Sequence, residues 1–158
     1  MPAFPHKAVA GFLTGALSVL VFHQGMYFAL IKLGFRLSGT PWEMSPGGPY
    51  GVPVLLNQMF WGGLWGLLFA YLVDHLPSEL PWLKGLVFGM VFPMLLGGWL
   101  VVSLLKGRPL FGGAFTNGFN PAALLRGFLL NGVAFGIGLG LLYRPVATAL
   151  GLRRTKGW

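Results

Sequence analysis

The sequence predicts an all-α membrane protein, a compact antiparallel bundle of four transmembrane helices, and three observations carry that prediction. Residues 8–33 are apolar almost throughout, with one polar pair, His23–Gln24, deep inside. At ~1.5 Å per residue such a helix spans ~39 Å, more than the ~30 Å of a hydrocarbon core. The whole chain is 55% hydrophobic and 9% charged over 158 residues, outside the range of soluble domains. Three further apolar stretches follow, each set off by polar or Pro/Gly-rich residues that cannot continue a helix.

In chain order, residues 1–7 are a short polar lead-in with two prolines. The first span, 8–33, is too long and too evenly apolar for a signal-peptide core, and no small-x-small cleavage site follows it, so it is expected to stay. Residues 36–52 form a Pro- and Gly-rich loop whose Trp42 and Tyr50 suit the headgroup layer. The second span, 53–73, starts at a proline, which the first helical position tolerates. A short polar turn, 74–81, makes spans two and three antiparallel neighbours. The third span, 82–105, contains Pro93 and Gly97–Gly98, where a kink is expected. A second Gly-rich loop, 106–120, leads to the fourth span, 121–143, and residues 144–158 are a basic tail. All 158 residues belong to a single transmembrane domain.

The net charge of +8 falls on loops and tail, which points to orientation and to anionic headgroups as partners. No basic run is long enough to track phosphates, which excludes a nucleic-acid partner. Four spans put both termini on one side. With the termini cytoplasmic, Lys7, Lys84, Arg144, Arg153, Arg154 and Lys156 are inside, and Lys32, Arg36, Lys106, Arg108 and Arg126 outside. There is no cysteine, hence no disulfide and no thiolate metal site.

Each span carries a small-xxx-small step: Gly11–Gly15, Gly62–Gly66, Gly85–Gly89 and Gly132–Gly136–Gly140. Glycines four apart line one helix face and let a second backbone approach. They also echo one another. A shift of 74 residues carries Gly11 and Gly15 onto Gly85 and Gly89, and a shift of 70 carries Gly62 and Gly66 onto Gly132 and Gly136. Either the bundle is two duplicated hairpins, or a Gly-rich chain has produced the echo by chance; both readings stand. In a duplication His23 corresponds to Gly97 and Gln24 to Gly98.

The candidate site residues are the polar side chains within spans: His23, Gln24, Asn57, Gln58 and Asn131. Such residues face a bundle interior and serve either as hydrogen-bonding glue between helices or as a functional site. His23 is the candidate for cofactor binding. Two axial histidines from this chain are not expected, because with this topology His6 and His75 fall at the terminal face, ~22 Å from His23 by helical rise. A single axial histidine to a chlorophyll or haem stays open, and the abundant Phe and Trp would suit a flat ring or a carotenoid. The acids Glu43, Asp74 and Glu79 all lie in loops, so neither acid–base catalysis nor carboxylate-coupled proton transport is expected, and no metal site.

FHQG at 22–25, PYGVPVLLNQMFWGGLWG at 49–66, LKG at 105–107 and LLNG at 129–132 resemble a group of small uncharacterised inner-membrane proteins of proteobacteria. The resemblance implies a bacterial inner membrane and brings no activity to any residue. Function then has three readings. The first is a non-catalytic accessory subunit of a larger respiratory or photosynthetic complex, since the glycine faces exceed what four helices need among themselves. The second is a small oligomeric channel or carrier with a polar path at His23, Gln24, Asn57 and Asn131. The third is a pigment- or haem-binding protein using His23.

Overall fold

The computed structural model describes residues 4–48, 50–76, 78–105, 107–116 and 118–151, the side chains of Phe4 and Pro5 excepted. They are mostly helical. Four helices carry them: α1 (residues 4–32), α2 (Val54–Leu72), α3 (Pro81–Leu105) and α4 (Pro121–Ala149). Three of these, with bounds His6–Lys32, Pro81–Leu105 and Pro121–Ala149, are long and apolar enough to cross a membrane. Val54–Leu72 has 19 residues and is not among the three. Asn57–Gln58 and the tryptophans and tyrosine dilute its apolarity.

Two glycine seams organise the packing. A Cβ on Gly11 would lie 2.5 Å from the Gly66 carbonyl oxygen, and one on Gly15 would overlap the Gly62 carbonyl. In α3 and α4 the same arrangement recurs: a Cβ on Gly85 would overlap the Gly136 carbonyl, and one on Gly89 would lie 3.0 Å from Gly132 O. In each seam residue numbers rise along one helix as they fall along the other. Backbones this close leave room only for hydrogen, which is why every expected small-xxx-small step is glycine on the buried face.

Between the seams lies an aromatic core. Phe69 and Phe88 meet edge to face at 5.2 Å, Phe69 and Tyr143 at 5.7 Å, and Phe88 stacks on Phe92 at 4.8 Å. Ser18, fully buried, donates from Oγ to the Phe135 carbonyl at 2.7 Å and ties α1 to α4. Outward faces are apolar: Val9, Leu13, Leu17 and Val21 on α1 and Leu56, Phe60 and Leu64 on α2 are exposed at helical spacing.

Three of the four helices contain a π-helical segment, Val19–His23, Met90–Val101 and Phe128–Gly136. Pro93, where a kink is expected, lies within the π segment Met90–Val101, and just past that segment the Ser103 hydroxyl donates to Gly98 O five residues back, at 3.2 Å.

One boundary differs from expectation. α4 does not stop at 143 but continues to Ala149 through Arg144 and Pro145. Tyr143 and Ala147 are buried in the core, and their packing holds the helix across the proline. Arg153, Arg154 and Lys156 lie outside the described residues, as does Lys106. The first loop also contains a short antiparallel pair, Pro46–Gly47 with Val52–Pro53.

Candidate functional site

The polar residues of the spans do not converge as a group. Gln24 and Gln58 meet: Gln24 Nε2 donates to Gln58 Oε1 at 2.5 Å. Asn57, expected in the interior, is exposed on α2. Consecutive helical residues point ~100° apart, so Gln58 facing inward turns Asn57 outward. Asn131 is half-buried and makes no side-chain hydrogen bond among the described residues. His23 ends the first π segment; its Nδ1 is buried without a hydrogen-bond partner among the described residues. The path expected from His23, Gln24, Asn57 and Asn131 is therefore not assembled. One glutamine pair is.

A local backbone device sets that pair. At the end of the π segment the backbone N–H groups of Gln24 and of the residue after it reach Val19 O and Val21 O and bypass Leu20 O. The Leu20 carbonyl accepts instead from the Trp42 indole Nε1 at 2.9 Å. Trp42 also donates its backbone N–H to Gln24 Oε1 at 2.9 Å. These two bonds hold Trp42 at φ 52°, a left-handed conformation unusual for a bulky residue. The extra residue of the π turn thus brings Gln24 inward and clamps the first loop onto it, and Gln24 ends almost fully buried with both ends of its amide satisfied.

Gln24 and Gln58 form one wall of a cavity of about 530 Å³, within the ~300–1,000 Å³ of small-molecule sites. Tyr27, Ser38, Thr40 and Glu43 continue the wall through the first loop. Trp99, Arg108, Arg126, Gly127 and Leu130 close the other side. Neither His23 nor Asn57 nor Asn131 lines it.

Two cations face one anion here. Glu43 is committed within its loop: Oε1 accepts from Ser45 Oγ at 2.5 Å and Oε2 from Thr40 N at 3.2 Å. Those two hydrogen bonds, the hydroxyl's first, hold its carboxyl below the usual range. Tyr27 anchors the same loop by donating its hydroxyl to Ser38 O. Arg126 reaches the Ala122 carbonyl through Nε at 3.3 Å and the Arg36 carbonyl through Nη1 at 3.4 Å, both long bonds. Among the described residues, Lys7–Asp74 is the one ion pair, so neither arginine of the cavity is matched by a carboxylate. Gly127 makes room for the indole opposite, since a Cβ there would lie 2.7 Å from Trp99 Nε1.

The other end of the helices is built differently. Lys84, counted from sequence among the charges on the terminal side, is 8% exposed and donates from Nζ to Val73 O at 2.9 Å. That carbonyl lies just past the last residue of α2, where the helix dipole is negative and a cation is favoured. Asp74, Tyr143 and Arg144 share with Lys84 a cavity of about 20 Å³, room for about one water. This end is a closed structural knot, and the larger cavity is the candidate site.

The charged residues of that cavity, Glu43, Arg108 and Arg126, are not site candidates from sequence, and Trp99 enters there only among the aromatics that suit a flat ring. One signal was available: Arg126 lies five residues inside the apolar stretch 121–143, where a charge needs a polar destination. Comparison with protein-family models, curated proteins and solved structures gives no match.

Proposed function

We propose that this chain is a non-catalytic, four-span integral membrane protein whose role is to bind a ligand in the polar chamber walled by Gln24, Gln58, Arg108 and Arg126. The observation that carries the reading is the chamber itself: about 530 Å³ at one end of the helices, with two arginines turned to it and no carboxylate paired to either. Val54–Leu72, second in chain order, completes the four spans; at ~1.5 Å per residue its 19 residues reach ~28 Å, and it exposes an apolar stripe at Leu56, Phe60 and Leu64. The recurring glycine contacts support two duplicated antiparallel hairpins. With the termini cytoplasmic in a bacterial inner membrane, the chamber faces the opposite side.

The accessory-subunit reading has less to stand on than it had from sequence. The glycine steps that offered surfaces to foreign helices are engaged with one another inside the chain. The channel reading needs a path through the bundle, and the polar side chains end at the glutamine pair.

Because the chain has no cysteine, single cysteines test the chamber directly. Gln58→Cys should react with a membrane-impermeant thiol reagent from one side only, opposite to the side that labels Arg144→Cys. Labelling of Gln58→Cys from neither side sinks the chamber, and labelling from both sides replaces it with a channel.

A further inference from the structure

The chamber does not end at its polar wall. Trp99 lines it, and from Trp99 a row of aromatic rings leads outward: Trp99 to Phe111 at 5.9 Å, Phe111 to Phe115 at 5.6 Å, Phe115 to Phe119 at 5.9 Å. The last two are 59% and 66% exposed, unusual for phenylalanines packed in series. A cationic pocket joined to an exposed apolar track has the shape of an amphiphile's binding site.

The charges narrow the class. Arg108 and Arg126 against Glu43 leave one net positive charge among the cavity's side chains. That matches a phosphodiester, with one negative charge, better than a phosphomonoester or a neutral headgroup. A guanidinium presents its N–H groups as a planar fork suited to phosphate oxygens. Gln58 Nε2 and Trp99 Nε1 have no hydrogen-bond partner among the described residues and supply neutral donors beside them.

We infer that the chamber holds the phosphodiester headgroup of an anionic phospholipid between Arg108 and Arg126, with an acyl chain laid along Trp99, Phe111, Phe115 and Phe119. The inference rests on the reading of the chamber as a ligand site and adds the ligand's class.

The test is a native mass-spectrometric titration of the full chain in an uncharged maltoside detergent. The probes are dioctanoyl phosphatidylglycerol, phosphatidylethanolamine and phosphatidylcholine, with inorganic phosphate as competitor. Phosphatidylglycerol should bind about tenfold tighter than phosphatidylcholine, and Arg108→Gln and Arg126→Gln should each remove about that factor. Phe115→Ala should weaken the lipid severalfold, and Glu43→Gln should tighten it, a sign that a damaged fold does not produce. Three results overturn the inference: phosphatidylethanolamine binding best and weakened by Glu43→Gln, inorganic phosphate displacing the lipid at equal concentration, or arginine variants binding like the parent. If these occur while Gln58→Cys still labels from one side, the ligand class is wrong and the chamber stands. If Gln58→Cys labels from neither side, both fail.

Discussion

The α1–α2 seam and the α3–α4 seam use the same contacts and end differently. Gly11 meets Gly66 as Gly85 meets Gly136, and Gly15 meets Gly62 as Gly89 meets Gly132, under the same shifts of 74 and 70 residues that relate the sequences. Toward the chamber the correspondence breaks. Gln24 and Gln58 in the first half stand where the second has Gly98 and Phe128, and Gly127, which makes room for Trp99, stands where the first half has Asn57. Packing is what the halves share. Polarity is what they do not, and the cavity lies at that divergence.

The strongest way to break the comparison is to load both seams equally. Gly66→Val and Gly136→Val each place a branched side chain against a carbonyl of the facing helix, where no rotamer change gives relief. Neither variant should be recovered folded, judged by monodispersity after detergent extraction. Recovery of one and not the other would make the seams unequal. Milder changes sharpen the comparison at its third step, where Ala70 in the first seam stands for Gly140 in the second. A Cβ on Gly140 would overlap the Pro81 carbonyl and come 3.1 Å from Gly85 N, so Gly140→Ala should cost about 1–3 kcal/mol in an SDS-unfolding titration. Ala70→Gly removes a buried methyl and adds backbone freedom, about 1 kcal/mol.

This contrast also separates what was legible in the sequence from what was not. Apolar length marked all four helices, and the spacing of four marked every glycine of the seams, because both depend only on residues of one helix. The chamber depends on residues from α1, the first loop, α2, α3 and α4 meeting at one end, which no local pattern encodes. The π segment is the clearest case. The stretch 19–23 is an ordinary apolar sequence, yet its extra residue brings Gln24 to Gln58 and frees Leu20 O for Trp42. Lys84 is a related case: its place at the terminal end follows from sequence, but the Val73 carbonyl across the turn that accepts from it does not.

The glutamine pair is the next lever, because the second half has no counterpart to it. Gln58→Leu removes one hydrogen bond and leaves Gln24 Nε2 buried without a partner, a loss of about 1 kcal/mol. Gln24→Leu should cost more, since Trp42 N–H loses its acceptor as well and the strained loop loses one of its two clamps. A double-mutant cycle should give a coupling of about 0.6–2 kcal/mol. The same cycle at Gly98 and Phe128, each changed to Ala, should give none. Coupling at both places would mean that the halves differ in residue type but not in role.

The smallest effect expected distinguishes the two long loops. The first contains Glu43 and the second, 106–120, contains no acid. Glu43's carboxyl is held below the usual range by Ser45 and Thr40, so between its folded and unfolded values the unfolded chain binds more protons. Its contribution is therefore fully present above the ordinary glutamate range and is lost as pH falls through the lowered value. Amide-exchange protection at Thr40, whose N–H donates to Glu43, should fall in acid once corrected for intrinsic exchange rates, while protection at Ala114 and Thr116, bonded backbone to backbone in the second loop, should not. Glu43→Gln should remove the pH dependence and leave the second loop unchanged. If both loops instead lost protection together, acid would be loosening the end they share, and Glu43 would be a bystander to a softer chamber rather than the one carboxylate in its wall.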